Sequence, residues 1–99
     1  MKIYGIRIFE KLKRKNRGNK RLLKAINELI ETLEKESWND PLELVKSRPD
    51  ADCVHSEGFY FFNIKIHRTM ILIEFEENRA TIVWAGSHND YELKFRTYQ

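Results

Sequence analysis

The 99-residue chain holds one cysteine, Cys53, which excludes an intrachain disulfide and leaves no cysteine framework for a metal. No apolar run approaches the ~20 residues of a membrane-spanning helix. The N-terminus lacks the basic, apolar and small-residue order of a secretory signal. No repeat or low-complexity tract is visible. No carboxylate cluster or ligand-spaced His pair suggests a metal, and no cofactor is expected. The expectation is a cytoplasmic protein without a membrane partner. Hydrophobic residues at 41% and charged residues at 33% suit one globular domain over residues 1–99, with a core able to fold alone but with little surplus.

Charge is present in abundance and unevenly spread. Residues 1–24 hold ten Lys or Arg against one acid, Glu10, a net of +9. Residues 25–52 are −5 and the remainder −1, so the overall +3 conceals a strongly positive block. Such a block suits a polyanion surface, most simply nucleic acid, or a solvated face that keeps the protein soluble. The charges also oppose the helix on which they lie. Lys20, Arg21 and Lys24 crowd its start and Glu31, Glu34 and Glu36 its end, whereas the helix dipole favours the reverse by ~0.3 kcal/mol per exposed charge.

That helix is marked by Leu22, Leu23, Ile26, Leu29, Ile30 and Leu33, which follow the spacing of one helix face. A shorter amphipathic segment, Ile6, Ile8, Phe9 and Leu12, precedes it across a break at Asn16–Asn19. Together they predict an N-terminal helical hairpin whose connection is lined by basic residues. Lys2–Tyr4 either forms a short strand or enters the first helix. Asp40-Pro41-Leu42-Glu43 predicts a short third helix, stopped by Arg48-Pro49. Trp38 reads as a core or hinge aromatic.

The second half reads as β structure. Ala51–His55, Phe59–Ile66, Thr69–Phe75 and Ala80–Ala85 are strand candidates, with turns at Ser56-Glu57-Gly58 and Glu77-Asn78-Arg79. Short connections predict an antiparallel meander. Ser87 and Asp90 have capping-box spacing for a short C-terminal helix. The fold class is therefore α+β, a helical hairpin packed on one face of a small twisted antiparallel sheet. Alternation puts Tyr60, Phe62, Ile64 and Ile66 on the helix-covered face. Phe59, Phe61, Asn63 and Lys65 fall on the uncovered one. The acids Glu74, Glu76 and Glu77 read as solvated.

Several segments in order resemble the HigB branch of the RelE-like toxins: Phe62-Asn63-Ile64-Lys65, Arg68 opening an apolar strand, and Val83-Trp84-Ala85-Gly86-Ser87-His88-Asn89-Asp90-Tyr91. Upstream, Trp38-Asn39-Asp40-Pro41 and Ser47-Arg48-Pro49-Asp50-Ala51-Asp52 are similar to the family's Trp-x-x-Pro and Pro-x-Ala-Asp segments. The resemblance covers roughly residues 38–92. Three departures stand out. The link between the Lys and Arg strands is only Ile66-His67, where the family often has Gly-Asn. His67 stands where Tyr is common. Ser87 replaces Thr.

The resemblance implies an endoribonuclease (mRNA interferase) toxin of a type II toxin–antitoxin pair that cuts mRNA at the ribosomal A site. The implied chemistry is attack of a ribose 2′-hydroxyl on the adjacent phosphate, without a metal. It also implies a helix-turn-helix, HigA-like antitoxin partner, the toxin being monomeric alone and part of a hetero-oligomer with it. The chemistry needs proton transfer at two oxygens and cations around the phosphorane. His88 is assigned as general acid or base, since an unperturbed imidazole titrates near pH 6.5. Tyr91 is its partner, in proton transfer or in stacking on a base. If residues 88–95 are helical, Phe95 anchors that helix while His88 and Tyr91 point to the sheet edge.

Arg68 is the main phosphate clamp and Lys65 supports it. Asn63 either orients RNA or satisfies backbone. His67 is a spare RNA contact, though adjacent strand positions face opposite ways and a loop residue is the favoured reading. His55 is not assigned a role, and Cys53 reads as a small buried residue. Lys13, Arg14, Lys15, Arg17, Lys20 and Arg21 would grip ribosomal RNA phosphates. The alternatives are a non-catalytic basic RNA-binding module and an interaction protein whose basic face binds an acidic partner.

Overall fold

The chain begins with a strand, and this changes the expected topology. In a computed structural model that describes residues 1–55 and 57–95, with His55 described for its backbone only, Lys2–Tyr4 forms β1. It pairs in parallel with the last strand, Lys2 beside Arg79 and Tyr4 beside Thr81. The helical pair therefore follows a strand, and the sheet is not purely antiparallel as the sequence predicted. Gly5 makes the turn out of β1. Its φ of 79° is left-handed, and an added Cβ would run into the Ile82 carbonyl oxygen.

Helix α1 spans Ile6–Lys15 and α2 spans Lys20–Lys35, where the hydrophobic spacing placed them. Asn19 caps α2 by accepting from the Leu22 N–H at 3.1 Å. Helix α3, Pro41–Ser47, starts as expected, with the Asp40 carboxylate accepting from the Glu43 N–H at 3.0 Å. Four antiparallel strands contain β2 (Asp52–His55), β3 (Phe59–Ile64), β4 (His67–Glu74) and β5 (Arg79–Ser87), and α4 closes the series at His88–Phe95. The spatial order is β1-β5-β4-β3-β2. Ser56 of the expected turn and the His55 side chain lie outside the described residues.

The face of the sheet beneath α1 and α2 carries the larger core. Phe9, Leu22, Ile26, Leu29 and Leu33 pack with Phe62, Ile64, Ile71, Ile73 and Ile82, all nearly inaccessible, and Trp38 joins them. Each such side chain contributes ~1.5–3 kcal/mol by leaving water. The opposite face is not uncovered as predicted. Helix α4 lies on it, and Tyr91 and Phe95 pack on Phe61 with Trp84, Met70 and Val54 alongside. A bulge lets β5 serve both faces. Ile71 pairs with Ile82 while Met70 pairs with Trp84, so Val83 is the extra residue. Without it, Ile82 and Trp84 would point the same way.

The turn between β3 and β4 also differs from the expectation. It consists of Lys65 and Ile66, with Ile64 paired to His67. Ile66 is therefore 74% exposed at a turn tip and is not part of the core face. Cys53 is exposed on β2, not buried. Glu74 is paired, not merely solvated: Arg79 donates to its carboxylate through Nε and Nη2, both at 2.9 Å, which holds the Glu74 carboxyl below its usual range.

Candidate functional site

The sheet brings the two halves of the predicted site together. Arg68 of β4 sits between Asn63 on β3 and Gly86 on β5 as a register partner of both. His88 follows Gly86 by two residues. Asn63, Lys65, Ile66, Arg68 and His88 line one open cleft of about 560 Å³ at this end of the sheet.

Gly86 is set by packing. An added Cβ would stand 2.7 Å from Trp84 Cζ2 and 3.3 Å from Asp90 Cβ, so only glycine lets α4 turn back over the Trp84 ring. The capping box expected at Ser87 and Asp90 is present in both directions. The Asp90 N–H donates to Ser87 Oγ at 3.1 Å, and the Ser87 N–H donates to Asp90 Oδ2 at 3.2 Å. These bonds to Ser87, with the charges of Lys15 and His67 nearby, hold the Asp90 carboxyl below its usual range. Lys15, at the end of α1, is therefore within electrostatic reach of the first turn of α4.

Arg68 lies over aromatic rings. Its guanidinium carbon is 4.5 Å from the Tyr91 ring centroid and 5.2 Å from that of Phe61. Its Nε is buried with no protein acceptor, and among the described residues it pairs with no carboxylate. The rings orient a cation without neutralising it, which leaves its charge for an anionic ligand.

Tyr91 is 5% exposed. Its ring meets Phe61 edge-on at 4.9 Å and stacks on His88 at 5.9 Å. The sequence made Phe95 the anchor of α4 and turned Tyr91 to the sheet edge. In the structure Tyr91 anchors the helix as well, and Arg68 covers it. His88 remains open, its side chain 63% exposed, and its Nε2 is 3.3 Å from Glu92 Oε1 one turn along. Glu92 was missed in the sequence, although its i, i+4 spacing from His88 was legible.

Lys65 is held at φ 63°, left-handed, as the first of two turn residues. Glycine is the common occupant there, and a lysine costs of order 1–3 kcal/mol. His67 is not a loop residue. It opens β4, 7% exposed on the α1/α2 face, opposite to Arg68 and outside the cleft. Burial pushes its imidazole below the usual range, partly opposed by Asp90, and Nδ1 has no partner. Asn63 lines the cleft through its exposed side chain while its backbone is bound elsewhere. Its N–H donates to Asp50 Oδ2 at 2.9 Å and its carbonyl accepts from Arg48 at 3.2 Å. Burial raises the Asp50 carboxyl, but bonds from Arg48 and from Asn63 outweigh this and leave it below its usual range.

The basic residues of the helices divide. Lys13 donates to Asn27 Oδ1 at 2.6 Å. Lys15 lines a groove with Ile8, Lys11 and Leu12 against Val83, Trp84 and Ala85. Arg14, Arg17, Lys20 and Arg21 are exposed. Among the described residues, no three His, Cys, Asp or Glu side chains gather as a metal site. No helix among them is long and apolar enough to cross a membrane.

Compared with known proteins, residues 23–94 match the family model described as HigB toxin, RelE-like toxic component of a toxin–antitoxin system. No curated protein matches the chain significantly.

Proposed function

The chain belongs to the HigB family of RelE-like toxins, the toxic components of toxin–antitoxin systems, and we propose that its toxicity is cleavage of mRNA at the ribosomal A site. An antitoxin is thus its partner by family. We assign a HigA-like helix-turn-helix protein to that role.

In this reading the 2′-oxygen of a ribose forms a bond to the adjacent phosphorus and its proton leaves to a base. The bond from phosphorus to the 5′-oxygen breaks, and that oxygen takes up a proton. The products are a 2′,3′-cyclic phosphate and a 5′-hydroxyl, and no metal takes part. His88 is the general acid–base group, and Glu92 orients its ring. Arg68 holds the phosphate through the charge that no carboxylate neutralises, and Lys65 adds a second cation from the turn. Tyr91 is the platform for both Arg68 and His88. Asn63 contacts the RNA. His67, turned to the other face, is left out of the site. Lys13, Arg14 and Lys15 at the end of α1, Arg17 in the turn after it, and Lys20 and Arg21 at the start of α2 contact ribosomal RNA phosphates in this reading.

The observation that supports this most strongly is the cleft that collects Asn63, Lys65 and Arg68 from the β3–β4 hairpin and His88 from the junction of β5 with α4. The test is induction of the parent, Arg68→Ala and His88→Ala in growing cells. Both variants are expected to lose growth arrest while melting within a few degrees of the parent. Toxicity equal to the parent in both would refute the assignment. RNA binding without cleavage would select the non-catalytic binding module instead.

A further inference from the structure

We propose that Arg48 and Asp50 form a clamp that positions Asn63 and Lys65 for the cleft without lining it. The two side chains make a two-point ion pair, Nε to Oδ1 at 2.7 Å and Nη2 to Oδ2 at 2.7 Å. The same carboxylate accepts from the Asn63 N–H, and the same guanidinium donates to the Asn63 carbonyl. Arg48 also lies over the Phe62 ring, 5.6 Å from its centroid.

These bonds stand where a strand would otherwise be. Pairing of β2 with β3 reaches only Asp52 beside Phe61. Beyond it, the outer N–H and C=O of Asn63 have no strand neighbour, and the ion pair takes both. On its inner side Asn63 is the register partner of Arg68. Two residues later Lys65 holds its left-handed φ. Strained backbone persists only where its surroundings over-determine it. The clamp fixes β3 immediately before the strained turn, and so fixes the distance between the Lys65 and Arg68 cations.

The proposal rests on the RNA-cleaving reading, and charge separates it from a purely electrostatic account. Asp50→Asn is nearly isosteric and makes the protein more basic. If positive charge alone governed activity, this variant would bind ribosomes more tightly and cleave at least as well. Positioning requires the opposite for cleavage.

The experiment measures single-turnover mRNA cleavage on programmed ribosomes, ribosome affinity, and hydrogen exchange at the Asn63 amide. It uses the parent, Asp50→Asn and Arg48→Lys. The expected result for Asp50→Asn is cleavage slowed about tenfold or more, affinity unchanged or tighter, and Asn63 exchange accelerated about tenfold. Arg48→Lys, which keeps the charge but loses the two-point geometry, should also slow cleavage. Parental cleavage in both folded variants, or unaltered Asn63 exchange, would overturn the clamp. A parent that fails to cleave RNA would overturn the functional reading and the catalytic half of this proposal, while the exchange data would still decide whether the clamp holds Asn63.

Discussion

On one face of the sheet, α1 and α2 bury a cluster that runs from Phe9 through Leu29 and Leu33 to Ile71 and Ile82. On the other, a single eight-residue helix rests on Phe61 through Tyr91 and Phe95. The first face is closed and mostly apolar, with His67 and Thr69 as its buried polar residues on β4. The second is aromatic and short, and it gives way to Asn63, Arg68 and His88 at one end of the sheet. A small domain has one core to spare for stability. Here the larger face supplies it, and the smaller face is left to hold charged groups in place. Its edge-on rings, worth ~0.5–1.5 kcal/mol per pair, also form the surface on which Arg68 lies.

Substitutions on the two faces should therefore separate stability from activity. The largest effect on stability is expected for Leu29→Ala, which opens a cavity in the closed core. A loss of about 3 kcal/mol by denaturant unfolding is expected, and a loss below ~1 kcal/mol would mean that this face is not the main core. On the smaller face, Tyr91 distinguishes platform from proton donor. Tyr91→Phe keeps the ring under Arg68 and should cleave within a few-fold of the parent. Tyr91→Leu should lose about tenfold or more, with only ~1–2 kcal/mol of stability. A loss of about a hundredfold in Tyr91→Phe would return the phenol to the chemistry.

Reversing charge at Arg14 and Arg17 should weaken ribosome association several-fold at low salt and little at high salt, with the fold intact. Association unchanged at both salt concentrations would remove these residues from the interface. The smallest effect is a pH dependence. The Asp50 carboxyl is held below its usual range in the folded chain, so its ion pair adds stability above the unfolded pKa of about 3.9 and loses it as pH falls through the folded value. Unfolding should separate the parent from Asp50→Asn at pH 7 and bring them together toward pH 3. A gap that widens on acidification would contradict the cause assigned to the shift.

The sequence made the closed face easier to read than the open one, for physical reasons. Ile26, Leu29 and Leu33 repeat at helical spacing within one element, so their shared face is visible locally. The cover over Phe61 is not local, since Tyr91 and Phe95 lie thirty or more residues away on a helix with only two buried anchors. Strand β1 has three residues, too few to show a period, and its partner is at the other end of the chain. The letters suggest Ile66-His67 as the link, which makes His67 a loop residue, whereas the turn is Lys65-Ile66. With the turn there, His67 is the first residue of β4 and, opposite in direction to Arg68, falls on the closed face. Val83 hides in an apolar run, where nothing in the letters marks a bulge. Arg48 and Asp50 fall in a segment that the sequence marks as a helix stop and by its family resemblance, not as an ion pair, and the pair's target is the backbone of Asn63, which carries no side-chain signature. The Arg68–Gly86–His88 proximity was legible because two apolar strands with a short connection between them must lie side by side.

The central claim is that the open face cuts RNA by internal attack of a 2′-hydroxyl. The most direct measurement is the chemistry of the RNA ends formed when the parent is induced without its antitoxin and compared with His88→Ala. The account predicts in-frame cuts in translated messages, with 2′,3′-cyclic phosphate on the upstream fragments and 5′-hydroxyl on the downstream ones, all absent with His88→Ala. Cuts bearing 5′-phosphate and 3′-hydroxyl ends, or cuts that persist in His88→Ala, would contradict it.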